Sequence, residues 1–133
     1  MPTSLAAQIL VTQDLAFEDV VVPEWDNIKL RICAMSGADR DAWERTITRI
    51  VDGKAVPDTA NFRGRLLVRC IVDPDTGARV FQDGHAEALG EKSGDVLTRL
   101  AIIATRLNKL RNEDVAELGK GSALSPSADS GSA

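Results

Sequence analysis

Tyrosine is missing, aromatic residues make up only 4% of the chain, and sixteen basic residues face twenty acidic ones. General nucleic-acid binding needs a surplus of Lys and Arg to displace counterions from phosphates, and a formal charge of −4 with a pI near 5.0 offers none. The aromatics Phe17, Trp25, Trp43, Phe62 and Phe81 are scattered, so they make no stacking platform for single strands. The only histidine is His85, and the only two cysteines are Cys33 and Cys70, a poor supply of zinc ligands. Each cysteine sits in an apolar run, which predicts buried, reduced thiols acting as small hydrophobes rather than a disulfide framework. No apolar run approaches the roughly 18 residues of a membrane span. The first ten residues lack a basic segment, so they do not read as a signal peptide. A soluble, cytoplasmic protein is expected.

Catalytic patterns are equally thin. His85 has no Ser or Cys beside it to form a nucleophile pair. Asp73-x-Asp75-x-Gly77 superficially resembles a calcium loop, but its glycine comes one place early and Gly84 stands where a bidentate Glu is needed. Gly53-Lys54 is followed by Ala55, and Gly119-Lys120 lies in a Gly/Ser/Ala-rich stretch, so neither completes a phosphate loop. Asp73 and Asp75 read as turn formers. No enzyme is expected, and no cofactor or metal is implied.

What is present is enough for one domain. A chain of 133 residues buries about two thirds of its extended surface on folding, which suffices for a core without disulfides or metals. Residues 119–133 are dominated by Gly, Ser and Ala and cannot bury enough apolar surface to offset ordering entropy, which predicts a disordered tail after a domain spanning 1–118. The expected fold class is α+β, mostly α-helical with a small N-terminal β-hairpin.

Ser4 is a plausible cap for a short helix with Leu5 and Ile9 on one face. Val20 to Val22 and the alternating Ile28, Leu30, Ile32 against Lys29 and Arg31 predict a hairpin, with Pro23 at a strand end. Ser36 opens a helix that carries Trp43, Ile47 and Ile50 on one face and ends at Gly53, with a loop over residues 54–59. Residues 61–72 form either a helix with Phe62, Leu66 and Cys70 in register or, from Leu66 on, a buried strand. A turn over residues 73–77, a short extended piece at 79–81 and a brief helix from Asp83 to Leu89 follow. Ser93 starts the longest helix, about 18 residues with Val96, Leu100, Ile103, Leu107 and Leu110 in one stripe. Asn112 caps a last short helix closed by Gly119.

Three features suggest interaction. The stripe through Leu100, Ile103, Leu107 and Leu110 is either core or a face for a partner's helix. Arg63, Arg65 and Arg69 form either a solvated helix face or a docking patch. Trp25, in the hairpin turn, either folds back over the sheet or is offered to a partner. Residue physics alone ends at an α+β interaction domain.

Several segments resemble, in order and spacing, the tail assembly chaperones of long, non-contractile-tailed bacteriophages. They are Val21-Val22-Pro23-Glu24-Trp25, Ser36-Gly37-Ala38-Asp39-Arg40-Asp41-Ala42-Trp43-Glu44 and Asn61-Phe62-Arg63-Gly64-Arg65-Leu66-Leu67. Further on, Cys70-Ile71-Val72-Asp73, Gly77-Ala78-Arg79-Val80-Phe81, Ala88-Leu89-Gly90-Glu91-Lys92-Ser93 and Arg106-Leu107-Asn108-Lys109-Leu110 continue the likeness, so that it spans residues 8–118. The resemblance implies a non-enzymatic helper in the host cytoplasm that binds the tape-measure protein and keeps it soluble until tail-tube subunits polymerise around it, and that is absent from the mature virion. It also implies the short form of the family's product, tube recruitment belonging to a longer frameshifted form; self-association stays open. The alternative class is a structural head–tail connector or tail-completion protein retained in the particle. A small DNA-binding regulator is a third, disfavoured by the low basic charge.

Overall fold

The computed structural model describes residues 4–110. The expected helix capped by Asn112 and the expected tail over 119–133 lie outside the described residues.

Local chemistry starts the elements where the caps predict. Ser4 accepts the Ala7 amide (3.1 Å) and opens α1, Leu5–Val11. Ser36 accepts the Asp39 amide (3.1 Å) and opens α2, Gly37–Thr46. Ser93 accepts the Val96 amide (3.4 Å) and opens α5, Gly94–Leu107. Such caps satisfy amides that have no partner within the helix.

The expected hairpin is β1, Phe17–Val22, antiparallel to β2, Ile28–Cys33, in the register Val20 to Leu30 and Val22 to Ile28. A 3-10 turn over Pro23–Trp25 and two left-handed residues, Asp26 and Asn27, join the strands. Leu30 and Ile32 are buried as the alternation requires, whereas Ile28, in phase with them, overhangs the end of the core and is exposed.

Residues 61–72 take both expected forms in succession. Helix α3, Phe62–Cys70, is followed by β5, Ile71–Val72, which pairs antiparallel with β2 to complete a sheet ordered β1-β2-β5. The turn after β5 forms as expected: Asp73 Oδ1 accepts the Asp75 amide (2.8 Å), and Gly77 adopts φ +76°. Val80 then returns an amide to Ile71. A 3-10 turn over Asp83–His85 leads into α4, Ala86–Gly90.

Two expectations need correction. The helix from Ser36 stops at Thr46, and the expected loop is a strand. Thr48–Val51 and Lys54–Pro57 are β3 and β4, a second antiparallel hairpin turning at Asp52 and Gly53, both at positive φ. Ile47 stays in the core, but Ile50 is on a strand and exposed. Of residues 46–51 only Arg49 is not β-branched, which disfavours helix, and Asp-Gly is a strong two-residue hairpin signal. Helix α5 ends at Leu107 rather than Leu110. Lys109 turns left-handed (φ 56°), its amide reaches the Arg106 carbonyl (3.1 Å), and the Leu110 amide reaches Thr105 (2.9 Å). This paired arrangement ends a helix and folds the following apolar residue back, and Leu110 is buried by it.

The core lies between the three-stranded sheet and helices α2, α3 and α5. Trp43, Ile32, Ile47, Leu66, Leu67, Ile71 and Leu100 are its largest fully buried side chains. Trp43 meets Phe62 edge to face at 5.8 Å between centroids, locking α2 on α3. Helix α3 approaches α4 at Gly64, where an added Cβ would stand 2.6 Å from Asn61 Oδ1 and 2.7 Å from the Ala86 carbonyl oxygen. Asn61 fills that gap and donates from Nδ2 to the Ala86 carbonyl (2.7 Å).

Candidate docking surface

Of the arginines of α3, Arg65 and Arg69 line one small cleft of about 250 Å³ together with Asp83, and Arg63 does not join them. Arg65 donates to the carbonyls of Thr46 (2.5 Å) and Asp58 (3.1 Å) and pairs with the Asp58 carboxylate (3.3 Å). It therefore ties the second hairpin to α3. Arg69 bridges Asp39 (3.1 Å) and Asp83, with Arg79 reaching the other oxygen of Asp83 (3.1 Å). Only Arg63 is exposed, with no ion pair among the described residues. Two of the three arginines are thus structural clamps.

The stripe of α5 faces inward. Leu100 and Leu110 are buried, and Ile103 and Leu107 are half-buried against the same core. A partner can reach Leu100 or Leu110 only if the core opens. The helix is also pinned from outside: Arg99 pairs with Glu24 (2.6 Å) and Arg106 with Glu18 (2.5 Å). The Arg99 hydrogen bond holds the Glu24 carboxyl below its usual range. At the helix end Asn108 is buried. Its Oδ1 accepts the Met35 amide (2.7 Å), and its Nδ2 donates to the Ala104 carbonyl (2.9 Å) and to Cys70 Sγ (3.5 Å). Cys70 is buried as expected, and burial pushes its thiol up to about 12. Cys33 departs from expectation: it faces Phe17 across the hairpin and is half-buried.

Trp25 folds back but not completely. It packs on the edge of the core and stays half-exposed, with Ile28 and Phe81 beside it. These three side chains are shared walls of two adjoining clefts. One, about 470 Å³, continues over His85, Ala88 and Leu89 with Glu24, Asp26 and Lys92 at its margin. The other, about 480 Å³, continues over Leu30, Ile71, Val72 and Val80 with Lys29, Asp73 and Asp75 at its margin. Of the expected binding residues, only Trp25 lines these clefts. Ile28 and Phe81 were not singled out from sequence, although Ile28 carried a signal: it continues the buried phase of β2 past the end of the core.

Apolar surface is also uncovered on α1. None of its residues is buried, and Leu5, Ile9, Leu10 and Val11 are each more than 60% exposed. Its helical form is as expected, but its apolar face meets no core. Among the described residues no group of three or more His, Cys, Asp or Glu is placed to hold a metal, and no helix is long and apolar enough to cross a membrane.

Fold and surface together define a small α+β domain with a clamped core, an apolar helix that no described residue covers and paired clefts at one end of a sheet. The chain belongs to the phage tail assembly chaperone family, whose profile matches residues 6–120. The solved structure of the bacteriophage HK97 tail assembly chaperone is similar in fold, with a TM-score of 0.54 at 23% identity over 78% of this chain and 98% of that one. No curated protein sequence matches the chain.

Proposed function

We propose that this chain holds the tape-measure protein during tail assembly, keeping it soluble in the host cytoplasm until tail-tube subunits cover it. Membership of the chaperone family across residues 6–120 carries the reading. The physics supports it. A long helical client exposes apolar stripes that aggregate before the tube forms, and a holder must offer apolar surface of its own. Here that surface is α1 and the clefts at Trp25, on a domain whose core is tied independently by Asn108 and the Arg69–Asp83–Arg79 cluster. Binding of this kind is stoichiometric, and release follows from competition by the tube protein. Tube recruitment by a longer frameshifted form and absence from the mature virion belong to the same reading.

Co-expression tests it. The tape-measure protein should remain in the supernatant when this chain is present and sediment when it is absent. Sedimentation in both cases, or this chain at full copy number in purified virions, overturns the proposal.

A further inference from the structure

Two aspartates in the whole sequence precede a glycine, Asp52 in the turn between β3 and β4 and Asp83 in the turn before α4. We infer that Asp52-Gly53 is a site of spontaneous backbone modification, isomerising to isoaspartate with water as the only co-reactant, and that the fold protects Asp83-Gly84 from the same chemistry. In the first step the Gly53 amide nitrogen attacks the Asp52 carboxyl carbon. A C–N bond forms, a C–O bond breaks, and the hydroxyl leaves with the amide proton as water, closing a cyclic imide. Water then opens the ring. Where it adds to the former main-chain carbonyl carbon, the bond from that carbon to the Gly53 nitrogen breaks and the side-chain carbon carries the chain on. The main chain gains one atom at unchanged mass. Glycine favours the step because it has no Cβ to hinder its nitrogen.

What separates the two sites is how firmly each turn is held. Asp52 and Gly53 sit at positive φ, 53° and 77°, and the hairpin ladder ends at the pair Val51 and Lys54, so neither turn residue belongs to it. Ring closure needs the Asp52 backbone turned out of this left-handed pose, so it proceeds from open forms of the hairpin. Opening is easy. No residue of β3 or β4 is buried, and a two-stranded hairpin without a core of its own is marginal in water. Arg65 clamps only its base, at Thr46 and Asp58. Asp52 itself is exposed and makes no ion pair or hydrogen bond among the described residues. Asp83 is the opposite case. Burial pushes its carboxyl up, but Arg69 and Arg79 each take one of its oxygens, outweigh that and hold it ionised. An ionised carboxylate has no hydroxyl to expel. Its turn is braced as well: the Gln82 amide donates to His85 Nδ1 (2.9 Å), the Gln82 side chain accepts the His85 amide, and Asn61 donates to the Ala86 carbonyl.

The test ages the full chain in solution near neutral pH for several weeks and reads isoaspartate at each site by electron-transfer fragmentation of its proteolytic peptides. Asp52 should accumulate it at least about tenfold faster than Asp83. In concentrated urea, where neither turn is held, the two sites should come within about threefold of each other, which assigns the difference to the fold rather than to the neighbouring residues. Arg79→Gln frees one oxygen of Asp83 and should raise its rate about threefold while leaving Asp52 unchanged; the urea comparison stays informative if that variant fails to fold. The aged form, separated by ion exchange, should have lost amide protection over β3 and β4 and kept it over β1 and β2, because an extra main-chain atom does not fit so tight a turn. Equal rates in the folded chain, a faster reaction at Asp83, a tenfold preference that persists in urea, or no isoaspartate at Asp52 overturns the inference.

Discussion

Asn108 shows how much one side chain can settle. It follows the stripe of α5 as an ordinary polar residue, and no local pattern marks it as buried, because two of its three partners, Met35 and Cys70, lie far away in the chain. Asn108→Ala leaves the Met35 amide buried without an acceptor and should destabilise by about 1–3 kcal/mol, read as a lower urea midpoint. Gly64 is a second case. It was legible only as part of a family-like string; the structure gives the reason, since a methyl group there meets the Ala86 carbonyl. Gly64→Ala should lose about 1–3 kcal/mol, whereas Gly37→Ala, with open space around it and no positive φ, should not. Asp83 makes the pH-dependent case. Burial pushes its carboxyl up, but the guanidinium groups of Arg69 and Arg79 outweigh that and hold it below the ordinary value. A carboxyl lowered by folding contributes stability above its unfolded pKa of about 3.9, and the contribution is lost as pH falls through the lower folded value. Asp83→Asn should therefore be less stable than wild type at neutral pH, and the gap should close in acid, as followed by thermal melts across pH.

At the scale of elements, the sequence was clearest wherever a cap or a strict alternation spoke. Ser4, Ser36 and Ser93 each start the helix they announced, and β1 with β2 follows from Leu30 and Ile32 alternating with Lys29 and Arg31. It was least clear where two periods overlap. Trp43, Ile47 and Ile50 fit a helical face by spacing alone, yet the β-branched run beyond Thr46 and the Asp52-Gly53 pair turn the chain into β3 and β4. Gly53 tests this directly, because its φ of +77° is a conformation that side chains resist. Gly53→Ala should lower stability by about 1 kcal/mol, while Gly53→Asn should largely restore it, Asn being the best tolerated side chain in that region; melting temperatures of the two variants decide the matter.

At the scale of the whole molecule, apolar residues divide into two populations that composition cannot separate. Leu100 and Ile9 look alike in sequence, each one turn from another aliphatic, and both suggest an amphipathic helix. Sheet and helices cover Leu100; nothing described covers Ile9 or Leu10. The candidate surface was legible at Trp25 for the same reason that it was illegible at Phe81. An aromatic in a turn has few neighbours nearby in sequence to bury it, whereas Phe81 reaches the cleft only because β5 joins the sheet. The two populations should separate by experiment. Leu100→Ala empties packed volume and should lose about 2–5 kcal/mol. Ile9→Ser with Leu10→Ser removes only exposed side chains and should leave the urea midpoint nearly unchanged, within about 0.5 kcal/mol for each substitution. If uncovered apolar surface is what holds the client, the α1 double variant should keep its fold and yet leave more tape-measure protein in the pellet on co-expression. A large loss of stability in that variant would instead show that α1 belongs to the folded core.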